Sequence, residues 1–463
     1  MLEQKTISHP SLIAKPKINR WFLAILSIGI VALVSGPWQS ISGLIVLFCL
    51  FVASCVLFQE KMLLFFLVTR PALDYWRDAT VFRYEEITIN VTTVIGVLFF
   101  FWGLIMLTKH RRSIMHMPLW LISIVTATFF AITTLYSINP FVSVTEALKF
   151  INVIIIFILG FIFVKKNIIT SKNILWSIIY SAIIPIIIAI NQILSNQGLT
   201  TFAIHGRIFG TLAHPNVFAF FLLILIMVHI QYSYITPTNW WQGKKNLKHI
   251  ITAIGVVLLA MTYTRAAWVG LIVFLVITGI LYSKKIIYWL AGVLLIGYVI
   301  LFPLNQWLWQ KTSFTLESYS LVSRITGNND EADSVQWRQA VARESWPLIG
   351  ARPWLGYGYG TFPMVWSDNR PITHLWDDSA EAHNDYLRLF LETGIVGLLL
   401  YSFFLSNLLI RSLKKNTQVY LNKHIFLTGS IAVFVVISLS DNMLHHTPVM
   451  WPLWVLWGAM LAE

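Results

Sequence analysis

Residues 146–164 read EALKFINVIIIFILGFIFV, and Lys165 and Lys166 follow directly. From Phe150 to Val164 the stretch carries no charge, and Asn152 is its one polar side chain. At about 1.5 Å per residue, a helix of this length spans roughly the 30 Å hydrocarbon core of a bilayer. A barrel strand would alternate polar and apolar residues, and this stretch does not. It is therefore read as a membrane-spanning helix. Outward from it the pattern repeats, at 21–36, 41–58, 62–73, 88–108, 118–136, 173–194, 216–235, 250–264, 266–282 and 286–303, then at 391–410, 425–442 and 449–461. That makes 14 candidates, of which 62–73 is short and ends at Arg70-Pro71 and the last has only 13 residues. The expectation is an all-α, polytopic helical membrane protein with 12–14 transmembrane helices.

Composition agrees. Of 463 residues, 57% are hydrophobic and 11% charged, against roughly 25% charged in a soluble domain, so soluble, disordered and disulfide-scaffold classes are excluded. The net charge of +13 would suggest nucleic acid in a soluble protein. In a membrane protein it sets topology, and the expected partner is the lipid bilayer, with no nucleic acid. Cys49 and Cys55 share one apolar segment and read as packing residues. No cleavable signal is evident, because a second apolar segment follows the first at once.

With the N-terminus cytoplasmic and the sides alternating, the inner pieces hold 20 of the 33 basic residues, and the C-terminus is also cytoplasmic. This parity requires 62–73 to count as a crossing. The inner set is 16 Lys and four Arg; the outer set is 11 Arg and two Lys, Lys149 and Lys311. Topology needs only positive charge. Outer arginine adds a planar fork suited to carboxylate or phosphate, either in a ligand or in the loop's own acids.

The chain divides into N-terminal helices (1–140), helices carrying arginines (141–303), a long extracytoplasmic loop (304–383) and C-terminal helices (384–463). The loop holds nine of the 20 acids, including Asp377 and Asp378, and seven Trp, including Trp337, Trp354 and Trp376. It is too long for a connector and is expected to cover or build a site on the outer face. Within it, 334–347 reads as an amphipathic helix ending at Pro347, and Gly350 to Gly360 as a glycine- and aromatic-rich turn. Its aromatics either stack on sugar rings or anchor at the interface.

Few residues could carry chemistry. Arg207 lies in Gly206-Arg207-Ile208-Phe209-Gly210-Thr211-Leu212-Ala213-His214-Pro215-Asn216, just before an apolar segment. Arg265 follows Thr264 between two apolar runs with almost no loop. Charges so placed face a site, or snorkel to a lipid phosphate or an acid. His383, in Glu381-Ala382-His383-Asn384-Asp385, sits where the loop meets the next helix and is either a base or a helix-start residue, with Asn384 or Asp385 as N-cap. Arg338 and Arg370 could touch an anionic substrate or the loop's acids. Arg388 and Glu392, four apart, are expected to pair. Asp441 and His445-His446 read as a solvated interface. No HExxH, Walker A, GxGxxG or GxSxG motif occurs, so a metal and a cofactor are not expected.

Three elements in order carry a resemblance: Arg207 with Gly210 and Pro215-Asn216; Thr264-Arg265; and Pro353-Trp354-Leu355-Gly356-Tyr357-Gly358, followed by Glu381 to Leu387 with the tail Leu391-Glu392-Thr393-Gly394-Ile395-Val396-Gly397. Together they resemble the O-antigen ligase and polymerase superfamily of bacterial envelope glycan enzymes, over roughly residues 140–460. The resemblance implies a type C glycosyltransferase-like fold and transfer of a glycan from undecaprenyl diphosphate at the periplasmic face of the inner membrane. It implies inversion without metal or nucleotide. On that resemblance His383 is the base, Arg207 and Arg265 clamp the diphosphate, and Arg338 matches an arginine of less defined role. The acceptor, a glycan or a lipid, separates a ligase from a polymerase and is not legible. A transporter or flippase would show repeated halves, which are not seen. A structural scaffold would need neither Arg265 nor His383.

Overall fold

The computed structural model describes residues 51–84, 87–195, 197–201, 204–232, 245–288, 291–292, 334–368, 381–413 and 418–462. The apolar segment 21–36, Cys49, most of 286–303, and the loop residues Lys311, Arg370, Trp376, Asp377 and Asp378 lie outside the described residues. The described residues up to 65 belong to one compact unit and those from 66 onward to another. In the first, 51–65 are helical around a turn at Gln59–Lys61.

The helices, in chain order, are α1 (Met62–Leu73), α2 (Val91–Lys109), α3 (Trp120–Ile132), α4 (Pro140–Lys165), α5 (Ser171–Ser181), α6 (Ile183–Ser195), α7 (Pro215–Ile230), α8 (Lys245–Met261) and α9 (Arg265–Leu281). They continue with α10 (Ser334–Ala351), α11 (Phe362–Asp368), α12 (Asp385–Leu413), α13 (Gln418–Ile437) and α14 (Thr447–Ala462). Among the described residues five helices are long and apolar enough to cross a membrane, and six shorter ones are apolar. The chain is an all-α polytopic membrane protein. Phe51–Trp76 counts by length and composition as one candidate span, where two crossings were expected. Counted so, the alternation that placed both termini on the cytoplasmic face loses a crossing.

Helix α4, the stretch that decides the fold class, lies in the core: every residue from Asn152 to Val164 is buried. Asn139 caps it, its side chain accepting from Val142 N at 3.1 Å, and Pro140 sits in its first turn, where no partner for its nitrogen is needed. Its neighbour is α14. A Cβ on Gly160 would meet the Val455 carbonyl oxygen at 2.7 Å, and one on Gly458 would meet the Phe157 carbonyl oxygen. Small residues thus let the two backbones approach closely. The last apolar segment, short by sequence, is a 16-residue helix with Trp451, Trp454 and Trp457 buried. These tryptophans are core packing, a role apart from interfacial anchors.

Two short antiparallel hairpins depart from the all-helical expectation: β1 (Thr80–Tyr84) with β2 (Ile87–Asn90), and β3 (Leu199–Thr201) with β4 (Ile204–Arg207). Each is rich in β-branched residues but too brief to leave a clear period in the sequence. At two points where the sequence alone suggests a helix end, the proline instead sits inside the helix. Pro71 lies within α1 and Pro347 within α10. Pro347 leaves the Arg343 carbonyl without its helical donor. Beyond it, Ile349 joins a buried cluster with Trp337, Val341, Phe362, Val365, Trp366, Ala382 and Leu391, which offsets that loss and docks α10 on α11 and α12.

Helix α12 is broken at Gly394 (φ 63°, ψ −170°). The groups released by the break are taken up by the glycine-rich turn. Tyr357 N and Gly358 N donate to the carbonyls of Leu391 and Glu392 at 3.2 and 2.8 Å. In return Ile395 N and Val396 N donate to the carbonyls of Pro353 and Trp354 at 2.8 and 3.4 Å. A Cβ at Gly394 would strike the Trp354 carbonyl. The two halves of the sequence element around Pro353 and Gly394 are thus one interlocked structure.

Candidate active site

Arg207 ends strand β4, positioned by Gly206 at φ 73°. It is buried, with 5% of its surface exposed. Its Nε donates to the Thr262 carbonyl at 2.9 Å, and one Nη donates to Asn216 Oδ1 at 3.0 Å and Thr264 Oγ1 at 3.4 Å. These three acceptors are neutral. Arg265 is the first residue of α9, directly after that threonine. The two arginines therefore flank one turn, Thr262–Arg265.

Asn216 opens α7 and links two charged groups. Its Oδ1 accepts from Arg207, and its Nδ2 donates to Asp441 Oδ2 at 2.8 Å. Asp441 Oδ1 pairs with His446 Nε2 at 3.1 Å and accepts from Asn442 N at 2.8 Å. Asn442 in turn donates to Glu381 Oε2 at 2.7 Å, and Glu381 pairs with Arg388. Arg388 Nε reaches Glu392 at 2.9 Å, as its spacing predicted, and Glu392 Oε1 also accepts from Phe362 N at 3.0 Å. One polar chain thus runs from Arg207 to the turn behind the Gly394 break.

His383, two residues before α12, has φ 47°, a left-handed backbone uncommon for a non-glycine residue. The next two residues are held firmly. Asn384 is the N-cap of α12, its Oδ1 accepting from Tyr386 N and Leu387 N at 3.0 Å each. Asn384 N donates to Asn442 Oδ1 at 3.3 Å, and Asp385 N to the Ser438 carbonyl at 2.9 Å. Asp385, which the sequence offered as an alternative cap, is fully buried and accepts from Ser438 Oγ at 2.8 Å and from Leu444 N at 3.3 Å. His383 is therefore pinned to the turn that supplies Asp441 and Asn442. Strain surviving in so fixed a place is a mark of functional sites. Arg338, on α10, follows Trp337, whose cluster includes Ala382 next to His383.

Charges of both signs meet here. His214, the residue before α7, has its pKa pushed down to about 4, first by burial and then by the charge of Arg207. The charged forms of His446 and His383 act the same way, and Asp441 alone opposes them. His214 Nδ1 accepts from Asn216 N at 3.1 Å, so its neutral ring carries the proton on Nε2. Burial disfavours a charge on Asp441. The hydrogen bond and charge of His446, with the charge of His383 and the Asn442 N–H, nevertheless hold its carboxyl below the usual range. Burial likewise opposes protonation of His446, and Asp441 overcomes it, so His446 is raised. Each partner thus favours the charged form of the other.

The sequence reading placed Asp441 and His445-His446 at a solvated interface, and the fold corrects this. Asp441 is 2% exposed, and His445 Nδ1 pairs with Glu146 at 2.8 Å, which also binds Lys149. A polar cluster between two apolar segments was the available signal. Arg70 was missed as well. It pairs with Asp74 at 3.0 Å and donates to Thr447 Oγ1. Asp74 Oδ2 accepts from Ala213 N at 3.1 Å, and Thr211 Oγ1 donates to the Pro71 carbonyl at 2.7 Å. This clamp fixes the Arg207 loop against α1. Its spacing, Arg70 to Asp74, was visible. Several outer arginines thus pair with the protein's own acids, as Arg70, Arg77 with Asp78, and Arg388 do.

Residues 250–402 match the family model described as O-antigen ligase. The match includes Arg265, Arg338 and His383; Arg207, Asn216 and Asp441 lie outside it. No curated protein matches the chain. The match supports the O-antigen ligase and polymerase superfamily, a membrane enzyme of glycosyltransferase-like ligase or polymerase type. That family implies a lipid-linked glycan donor.

Proposed function

We propose that this protein is a membrane glycosyltransferase of the ligase type, acting at the outer face of a bacterial cytoplasmic membrane. The donor is a glycan on a polyprenyl diphosphate such as undecaprenyl diphosphate, and the acceptor is a hydroxyl group, as in lipopolysaccharide or exopolysaccharide synthesis. The observation that carries this reading is the bonding of Arg207 to the network Asn216–Asp441–His446, whose Asp441 also feels the charge of His383. A diphosphate suits the guanidinium of Arg207, and an imidazole near it suits an acceptor hydroxyl.

In the reaction, His383 takes the proton of the acceptor hydroxyl as its oxygen attacks the anomeric carbon. The bond from that carbon to the diphosphate breaks on the opposite face, which inverts the centre. Charge gathers on the departing polyprenyl diphosphate, where Arg207 and Arg265 stabilise it, with Arg338 approaching from α10. The diphosphate ester supplies the driving force, so neither metal nor nucleotide is required.

The test is reconstitution of purified wild type and His383→Ala with an undecaprenyl-diphosphate-linked repeat unit, with and without candidate acceptors, and without nucleotide or metal. Product on the acceptor, absent with the variant, is expected. A ladder of longer lipid-linked chains without acceptor would reassign the protein as a polymerase. Equal product from His383→Ala would overturn the role of His383.

A further inference from the structure

Helix α12 begins just after His383 and runs 29 residues to Leu413; its last turns carry Asn407 and Arg411, which lie one turn apart on one face. At that far end a cavity of about 630 Å³ is lined by His116, Leu119, Trp120, Phe403, Asn407 and Arg411, among others. It shares no lining residue with the candidate active site. Three observations give it a ligand chemistry. First, lysine dominates the basic segments of this side, where only Arg20, Arg111, Arg112 and Arg411 are arginine. Arg411 lines the cavity, and Arg111 and Arg112 form the helical turn Arg111–Ile114 that leads straight into its wall at Met115. Second, Leu119 in that wall has φ 73°, a costly conformation for a bulky residue, held where the chain turns around the cavity. Third, part of the lining is apolar and outward-facing. Leu121 and Phe403 are 57% and 59% exposed, on helices α3 and α12 of a membrane protein.

We propose that this cavity binds an anionic glycerophospholipid of the surrounding bilayer. Its phosphodiester rests on Arg411, with Arg111 and Arg112 adding charge. Its acyl chains run along Leu121, Val125 and Phe403. A guanidinium suits a phosphate better than an ammonium does, which accounts for three of this side's four arginines lying here among lysines. A soluble anion would not need the exposed apolar wall.

The full-length protein in detergent is titrated with phosphatidylglycerol and with phosphatidylcholine of the same acyl chains, and bound lipid is counted by native mass spectrometry. Phosphatidylglycerol should bind about tenfold or more tightly than phosphatidylcholine, and Arg411→Gln should weaken it by about fivefold. Replacing Arg111, Arg112 and Arg411 together by Gln should erase the preference. Because these side chains are exposed, the variants should keep the wild-type melting midpoint in lipid-free detergent. Val125→Trp, which fills the apolar wall, should weaken both lipids. Equal binding of the two lipids by wild type, or a preference that survives the triple variant, would overturn the proposal. So would competition by soluble glycerol 3-phosphate at the same concentration as the lipid, since that would make the ligand a free anion.

Discussion

Arg207 and His383 depend on neighbours that do not themselves face a substrate. Asp441 is the centre of this support, since it holds Asn216 and His446 at once. Asp441→Asn should destabilise the protein by about 3 kcal/mol, because it leaves a buried ion pair half made. The loss should depend on pH. Asp441 is held below its ordinary 3.8, so its contribution is present above that value and fades as pH falls further. His446 is raised above 6.5, so its contribution is present below that value and fades as pH rises through the raised one. The melting difference between wild type and Asp441→Asn should therefore be greatest between about pH 4 and 6.5 and shrink on either side. A flat difference would mean that the pair is not ionic. Arg207→Lys should lower the melting midpoint, because a point charge cannot serve Thr262, Asn216 and a diphosphate together, and should lower the kcat of the folded protein by tenfold or more; unchanged kcat would remove the clamp. The arginines and His383 were legible because charges at the edges of apolar runs stand out. Asp441 and His446 were not. A polar turn between two helices looks the same in sequence whether water or protein surrounds it, and only the packing of α7, α12 and α14 decides.

At the scale of elements, the break at Gly394 matters most. Its backbone lies in a region that essentially only glycine occupies, and a side chain there would meet the Trp354 carbonyl. Gly394→Ala should cost about 3 kcal/mol or more and sharply reduce the yield of monodisperse protein after extraction. Trp354→Ala should change stability by no more than about 0.5 kcal/mol, because that side chain is 70% exposed and only its backbone is engaged. If the two variants behave alike, the interlock is not what holds the turn. Glu392-Thr393-Gly394 falls inside one apolar segment, so the sequence marked a motif there without revealing a break. The same limit explains Pro71 and Pro347: proline lowers helix propensity locally, and tertiary packing such as the Ile349 cluster overrides it.

For the molecule as a whole, the two ends of α12 separate two chemistries, a polar network at Asp385 and an arginine-flanked cavity at Arg411. With Cys49 and Cys55 replaced by serine, an impermeant thiol reagent applied to intact cells should label Gln339→Cys and spare Met115→Cys. The reverse would invert the orientation, and labelling of both would mean that the two ends do not lie on opposite faces. The helical membrane class was plain from α4 alone. Which helix forms the core was not, because every apolar segment looks equally fit for lipid. Burial of α14 rests on Gly160 and Gly458, two glycines with nothing around them in the sequence to mark them out. The bonds that bridge the break at Gly394 are made by backbone groups only, and so they read spacing rather than identity. The letters at Trp354 and Leu355 can drift. The number of residues from Pro353 to Gly358 cannot, since one added residue would move every later carbonyl and amide out of step with its partner. Sequences that share this fold should differ there by substitution and never by insertion or deletion.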